Sequence, residues 1–406
     1  MPVTFQHHTF ANGLTIVCER DDQALSAAAG FFVRTGARDE ATPIMGVSHF
    51  LEHMMFKGTE DLTAEELNRR FDTLGARNNA YTSNEMTCFY AHVLAERLPE
   101  AVELLGRMLR PALREKDFDT EKGVILEEIA MYMDNPFWQL YEEVIDRHYA
   151  PHPLSHRVLG TKDSIGALRA DQMRAYFEDR YSADNTVLAL AGRVDFDGVC
   201  AQVERLCAWW PRTGATRDPS IPRSGAGEFT MRSERVNRGY LLGVWSGPPY
   251  GDDRRYAASL LGQVLGAPDN SRLHWALIEP GIAEEAQASY DPHDGVGQFL
   301  VYASGEPSRL DAIWQAVRTQ LDGLRASLAQ EDLDRLLPKA VTGATVAGEL
   351  PSDRMHRLGR QFTYLRRHST LEEELERLSR VTLDDVRAVC EAFPPTPSTL
   401  GRLIPA

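Results

Sequence analysis

The sequence is poor in cysteine and has no long apolar runs. Only five cysteines occur in 406 residues, and no two of them form a Cys-x-x-Cys pair. Cysteine is therefore a poor candidate for a zinc ligand, and five scattered, unpaired cysteines fit a reducing compartment. No apolar run approaches the roughly 18 residues that a transmembrane helix needs, so we expect no membrane partner.

Positive charge is also in short supply. Lys and Arg together number 44 against 59 Asp and Glu, which gives a net charge of -15 at pH 7. Because nucleic acids are polyanions, we expect no nucleic-acid partner. The acidic excess suits basic peptides, but it equally fits a chain that is simply soluble. The N-terminal residues lack the basic-then-apolar pattern of a signal peptide, which predicts a cytoplasmic location.

The most informative segment present is His49-Phe50-Leu51-Glu52-His53, a His-x-x-Glu-His pattern. Residues four apart share one face of a helix, so the two imidazoles are placed to bind one zinc ion. The carboxylate of Glu52 lies beside them and can take a proton from water that the metal activates. This is the inverzincin pattern, which is typical of metal-assisted peptide hydrolysis.

The residues around the motif indicate a buried helix. Apolar residues recur at helical spacing through Ile44, Val47, Phe50, Leu51, Met54 and Met55. In such a helix, two histidines and a carboxylate are costly unless they are paired or bind a metal. The alternative is a buried helix whose histidines are satisfied by ordinary hydrogen bonds.

A catalytic zinc ion takes three protein ligands and keeps one position open, so a third ligand must lie elsewhere. The best candidates lie in a segment that predicts a long helix interrupted near its end by Asn135-Pro136. Glu121 and Glu128 are two helical turns apart and share a face. By themselves these residues fit a metal ligand with a supporting neighbour, and equally a solvated acidic face.

Several segments resemble the pitrilysin family of inverzincin metallopeptidases. The stretch from Gly46 to Thr59 is similar to the active-site helix of that family, which includes the mitochondrial processing peptidase and insulin-degrading enzyme. The similarity extends to other short motifs. They are Asn12-Gly-Leu-Thr15, Gly36-Ala-Arg-Asp-Glu40, Asn79-Ala-Tyr-Thr82, the pair Glu121 and Glu128, Gly160-Thr161 and Asn185-Thr186.

The resemblance implies a zinc-dependent endopeptidase with one Zn2+ per chain. His49, His53 and Glu128 would be the metal ligands. Glu52 would be the catalytic base and Glu121 a supporting carboxylate. Glu127 competes with Glu128 in sequence, but its side chain points about 100° away on a helix.

The resemblance also implies a substrate-binding strand, formed by Asn79, Ala80, Tyr81 and Thr82. A peptide could add to the exposed edge of this strand through backbone hydrogen bonds, which tolerate many sequences.

One departure from the family pattern concerns the partner. Members that act alone carry an Arg and, seven residues later, a Tyr, and these positions hold Leu277 and Glu284 here. In paired members a sister subunit supplies both side chains. We therefore expect this chain to be the zinc-bearing subunit of a heterodimer, resembling the mitochondrial processing peptidase-like subfamily, that cleaves peptides in an enclosed chamber. The alternative is a non-catalytic assembly or peptide-binding subunit.

The chain divides near its middle at a segment rich in Pro, Gly and Ser. We expect an N-terminal zinc-binding domain over 1–212, a linker over 213–227 and a similar domain without zinc over 228–406. Both halves repeat one order of strand-like and helix-like segments without regular alternation. This order predicts an α+β fold with two homologous domains, each a largely antiparallel sheet with helices packed on one face. Thr63 and Glu66 predict a capping box at a helix start.

Overall fold

The computed structural model describes residues 3–223, 225 and 227–406. The predicted linker 213–227 therefore includes two positions, 224 and 226, that lie outside the described residues. Eleven strands form two sheets. They are β1 (Thr4–Thr9), β2 (Thr15–Arg20), β3 (Ser26–Val33), β4 (Arg77–Thr82), β5 (Thr87–Leu94), β6 (Thr186–Gly192), β7 (Gly227–Ser233), β8 (Gly239–Gly247), β9 (Glu285–Pro292), β10 (Gly297–Gly305) and β11 (Thr399–Pro405).

Fourteen α-helices accompany the strands in the described part of the chain. They are α1 (Val47–Met55), α2 (Ala64–Thr73), α3 (Leu98–Met108), α4 (Glu115–Met133), α5 (Pro136–Tyr149), α6 (Lys162–Ala167), α7 (Ala170–Arg180), α8 (Phe196–Cys207), α9 (Arg255–Gly266), α10 (Leu310–Ser327), α11 (Gln330–Ala347), α12 (Pro351–Leu365), α13 (Leu371–Ser379) and α14 (Leu383–Ala392). The predicted capping box of Thr63 and Glu66 starts α2, and Asn135 caps α5 after α4 has ended. None of the described helices is both long and apolar enough to cross a bilayer.

Both sheets are largely antiparallel, as the sequence predicts. The first has the order β1-β2-β6-β3-β5-β4, and the second has the order β7-β11-β8-β10-β9. Each contains one parallel pair among its described strands, β2 with β6 and β7 with β11. The two-domain α+β class is therefore confirmed.

The chain forms two compact units that exchange segments. The first comprises Met1–Ile129, His156–Asp218 and Val346–His368, and the second comprises Ala130–Ser155, Pro219–Thr345 and Ser369–Ala406. Helix α5 thus comes from the first half of the sequence but belongs to the second unit. Helix α12 comes from the second half and belongs to the first unit. The sequence predicts contiguous domains over 1–212 and 228–406, and it does not predict this exchange of helices between the two units.

The exchange has a physical reason, because each sheet has two apolar faces. In the first sheet, Phe31 faces the main core beneath α3 and α8, while its neighbour Phe32 faces the opposite side. That side is covered by α12 through Met355 and Leu358. A strand buried on both faces needs cover on both, so helices on one face alone would leave this side in water.

The second sheet repeats the arrangement. Leu241 of β8 faces the core formed with α9 and α10, and the next residue, Leu242, faces the other way. Leu140 and Val144 of α5 pack on that second face. Each unit therefore has its larger helical layer on one face, and the other face is covered by α12 in the first unit and by α5 in the second.

Candidate metal centre

Helix α1 presents its polar residues on one side and buries the other in the core of the first unit. The buried side consists of Val47, Phe50, Leu51, Met54 and Met55. The helix starts after Gly46, whose φ of +94° is a conformation that L side chains rarely adopt. A Cβ at this position would lie 2.7 Å from the carbonyl oxygen of Leu159. The direction in which α1 enters the core therefore depends on a glycine.

Helix α4 brings the two acidic candidates to α1. The ring of Phe118 stacks on that of Phe50 with 4.7 Å between centroids, and Ile125 is buried in the same core. This packing directs Glu121 and Glu128 towards the histidines of α1, whereas Glu127 is exposed.

The structure brings His49, His53 and Glu128 together. Oε2 of Glu128 lies 3.8 Å from Nε2 of His49 and 3.7 Å from Nε2 of His53. Both distances are too long for hydrogen bonds. They are close to the roughly 3.4 Å that separates two ligand atoms held about 2.1 Å from a tetrahedral zinc ion. Ligand atoms of all three residues lie within 4.8 Å of one another, so this donor set fits a zinc ion.

Glu121 supports this group from behind. Nδ1 of His53 donates to Oε1 of Glu121 at 2.9 Å, and Lys57 forms an ion pair with Oε2. A proton held on Nδ1 leaves the lone pair of Nε2 free for a metal, and this is how metal-binding histidines are usually oriented. Sequence reasoning missed Lys57, although it lies one helical turn after His53.

Glu52 lies beside the group and is held by the strand that follows α2 in the chain. The hydroxyl of Thr82 donates to Oε2 of Glu52 at 2.5 Å. Burial raises the pKa of Glu52, against the lowering effects of the Thr82 hydrogen bond and the charge of His53. A carboxylate whose pKa is raised towards neutrality is a better proton acceptor near pH 7 than an exposed one.

The environment keeps His49 in its metal-binding form. Burial, and to a lesser extent His53, lowers the pKa of His49 to about 3, so its imidazole is neutral at neutral pH. Burial raises the pKa of Glu128. A bound cation would offset that effect by favouring the ionised carboxylate.

The predicted substrate strand is an edge strand. Asn79, Ala80, Tyr81 and Thr82 all lie on β4, which pairs with β5 on one side and is the last strand of the first sheet. Asn79 is exposed and the other three are half-buried. An edge strand has unpaired backbone donors and acceptors, which an extended peptide can use. Thr82 has a second contact that the sequence did not indicate, its hydrogen bond to Glu52.

Two buried residues that sequence reasoning did not single out hold the first turn of α1. The carboxylate of Glu40 accepts hydrogen bonds from the backbone N–H of Gly46 at 2.6 Å and of Ser48 at 2.7 Å. The hydroxyls of Tyr176 and Ser48 are 2.7 Å apart. Glu40 ends the Gly36-Ala-Arg-Asp-Glu40 motif, but it lies six residues before the N-cap Gly46, so no capping pattern in the sequence marks its role.

Positions 277 and 284, where members that act alone carry an Arg and a Tyr, hold neither a cation nor a phenol in the second unit. Leu277 is completely buried in the core of that unit. Glu284 forms an ion pair with Arg238 at 2.9 Å, and both side chains are partly exposed.

Comparison with protein families gives two adjacent matches. Residues 15–162 match the family described as Insulinase (Peptidase family M16). Residues 167–337 match the family described as Peptidase M16 inactive domain. The first match contains every residue of the candidate metal centre.

Relatives of similar length are known in bacteria. An uncharacterized zinc protease of Streptomyces coelicolor is 33% identical over 400 residues, which cover 95% of this chain and 86% of the relative. An uncharacterized zinc protease of Bacillus subtilis is 30% identical over 387 residues, covering 95% of this chain and 94% of the relative.

Solved structures share the fold at low sequence identity. A protease from Helicobacter pylori superposes with a TM-score of 0.93 at 20% identity, covering 99% of this chain and 100% of the other. A structure titled peptidase M16 inactive domain, from Pseudomonas fluorescens, has a TM-score of 0.88 at 19% identity, covering 100% and 98%. These two likenesses support the two-domain fold.

Proposed function

Since the chain belongs to peptidase family M16, we propose that it is a zinc-dependent endopeptidase that hydrolyses peptides or unfolded protein segments. The observation that carries this proposal is the convergence of His49, His53 and Glu128 next to Glu52. A donor set of two imidazoles and one carboxylate leaves a position for water, as a catalytic zinc site requires.

One zinc ion per chain would be held by Nε2 of His49, Nε2 of His53 and the carboxylate of Glu128. When bound, zinc supplies a Lewis acid that acidifies water and polarises a peptide carbonyl. Glu121 fixes the ring of His53 and has no other role in this proposal.

Glu52 is the proposed general base. Its carboxylate takes the proton of the attacking water and passes it to the nitrogen of the leaving amine. The hydroxyl of Thr82 holds one carboxylate oxygen, so the other is available to the water. The same hydrogen bond fixes the position of the base relative to β4.

The edge of β4 is the proposed substrate site. An extended peptide that pairs with Asn79 to Thr82 would add a strand to the first sheet. Backbone pairing gives an affinity that depends little on the sequence of the peptide. Because Thr82 also holds Glu52, a peptide on this edge lies next to the base.

We further propose that the chain acts as the zinc-bearing subunit of a heterodimer that encloses the peptide. Hydrolysis develops negative charge on the carbonyl oxygen, and a cation or a phenol lowers its energy. Leu277 and Glu284 hold the two positions at which members that act alone carry the Arg and the Tyr, and neither side chain is a cation or a phenol. A homologous sister chain with Arg and Tyr at these positions would supply both groups.

The heterodimer predicts a gain of activity on mixing. We expect the isolated chain to hydrolyse a fluorogenic peptide slowly and to gain about a hundredfold or more in kcat/KM with its sister chain, since one oxyanion donor is worth that much. The assay compares the chain alone, a candidate sister alone and the two mixed, and a homologue found in the neighbouring reading frame would be the first candidate to test.

Two results would count against this assignment. Full activity of the isolated, monodisperse chain, unchanged by any homologue, would contradict the heterodimer. A zinc-loaded chain that binds peptide but hydrolyses none with its sister present would favour the alternative, a non-catalytic assembly or peptide-binding subunit.

A separate prediction concerns Glu121. Glu121→Gln keeps an acceptor for Nδ1 of His53 but removes the charge that pairs with Lys57. We expect zinc affinity to fall by roughly tenfold, at the lower end of the effect of losing such a supporting partner. Competition with a zinc chelator measures the affinity. Glu115→Gln, on an exposed residue of the same helix, is the control, and equal affinities of the two variants would exclude the supporting role.

A further inference from the structure

A buried ion network in the first unit contains an arginine from the predicted linker. Arg217 has a side chain that is 3% exposed, and its guanidinium binds the carboxylate of Asp39 through two nitrogens, at 3.0 and 2.7 Å. The same group donates to the backbone oxygen of Glu85 at 2.5 Å. Arg38 binds the carboxylate of Glu85 at 2.6 Å. Arg217 therefore joins two loops, residues 36–40 and residues 83–86.

Each of these loops continues into one half of the candidate site. The first ends at Glu40, whose carboxylate holds the first turn of α1 through Gly46 and Ser48. The second begins directly after Thr82, the last residue of β4, which holds Glu52. Arg217 is thus bonded to Asp39, which is next to the anchor Glu40, and to Glu85, which lies three residues after the anchor Thr82.

The two loops also contact each other directly. Ala37 N donates to Ser83 O at 3.2 Å, and Arg38 N donates to Asn84 O at 2.7 Å. A Cβ on Gly36 would lie 2.2 Å from the oxygen of Ser83, so only glycine permits this approach. A shift of one loop is therefore transmitted to the other.

The geometry favours arginine over any other residue at this position. A planar guanidinium bonds a carboxylate through two parallel N–H groups, whereas an ammonium acts as a single point charge. Burial lowers the pKa of Arg217, but the hydrogen bonds and charge of Asp39, with the charge of Glu85, raise it above its usual range. The guanidinium is therefore a permanent cation between two buried acids.

We propose that Arg217 is a positioning residue for peptide hydrolysis, because it fixes the spacing between α1, which carries Glu52 and the two histidines, and β4, which would carry the substrate. The part of this inference that concerns the reaction rests on the proposed function. The structural part, that Arg217 holds α1 and β4 in a fixed relative position, does not. The segment that joins the two halves of the chain thereby becomes part of the site's support.

The test compares Arg217→Lys with Arg354→Lys. Arg354 is also buried and bonds two acids, Glu19 at 3.2 Å and Asp21 at 3.3 Å, but these belong to β2 and the turn that follows it. In the zinc-loaded chain with its sister, we expect Arg217→Lys to lower kcat by about 10–100-fold with zinc content unchanged, since a shift of about 1 Å has that effect. Arg354→Lys should change kcat less than twofold at a comparable loss of thermal stability.

A second readout does not depend on activity. Hydrogen exchange in Arg217→Lys should become at least tenfold faster at Gly46 and Ser48 and along β4, and should stay unchanged there in Arg354→Lys. Gly36→Ala, which forces the same loops apart without changing any charged residue, should repeat the exchange pattern of Arg217→Lys. Unchanged exchange in Arg217→Lys, or the same changes in Arg354→Lys, would overturn the proposal. Faster exchange together with an inactive wild-type protein would leave the positioning role standing and refute the proposed reaction.

Discussion

Glu52→Gln is expected to keep one zinc ion per chain and to lower peptide hydrolysis by about 10²–10⁴-fold, the usual contribution of a general base. An amide of the same size preserves the packing beside β4 and can still accept the hydrogen bond of Thr82. It cannot take a proton from water at neutral pH. The effect should therefore fall on kcat, with KM little changed.

The measurement is kcat for a fluorogenic peptide in the full assembly, with zinc determined on the same samples. Glu127→Gln is the matched control, because it makes the same chemical change on an exposed residue of α4. If Glu52→Gln hydrolyses the peptide at near the wild-type rate, another group is the base.

Glu128→Gln should have the largest effect on metal content. Glu128 is the proposed ligand that closes the group formed with His49 and His53, and a neutral amide is a much weaker zinc ligand than a carboxylate. We expect zinc affinity to fall by more than the roughly 10–100-fold that loss of a supporting partner causes. Hydrolysis should fall with it, because metal and base act together.

Glu127→Gln is again the control, and it tests the register of α4 directly. On a helix the two side chains point about 100° apart, so only one of them can face α1. Metal analysis after dialysis against a weak chelator should find zinc in Glu127→Gln and strong loss in Glu128→Gln. The reverse pattern would mean that the third ligand has been assigned to the wrong glutamate.

The sequence predicts much of the site because the site depends on short spacings. His49 and His53 are four apart and Glu121 and Glu128 seven apart, and helical geometry alone places each pair on one face. Helix α1 lies where apolar periodicity predicts a helix, α4 lies in the segment expected to be a long helix, and β4 is an edge strand as expected. Which face of α4 meets α1 depends on the stacking of Phe118 on Phe50, and that contact is not visible in a local pattern.

Longer-range features were not predictable in the same way. The exchange of α5 and α12 between the halves depends on which sheet face lacks cover, and amphipathic periodicity does not name the partner sheet. The residues that support α1 could not be predicted from local sequence patterns either. Glu40 lies in a loop, Arg217 lies in a segment that reads as a linker, and the ion pair between Arg217 and Asp39 spans 178 residues.

Removal and restoration of zinc tests the central claim most directly. The wild-type chain, together with the proposed sister subunit, is stripped with a chelator, dialysed and titrated with zinc while hydrolysis of a fluorogenic peptide is followed. Activity should disappear on stripping and return in full at one zinc ion per zinc-bearing chain, through His49, His53 and Glu128. Hydrolysis that persists in the metal-free protein, or that does not return with zinc, would contradict the account.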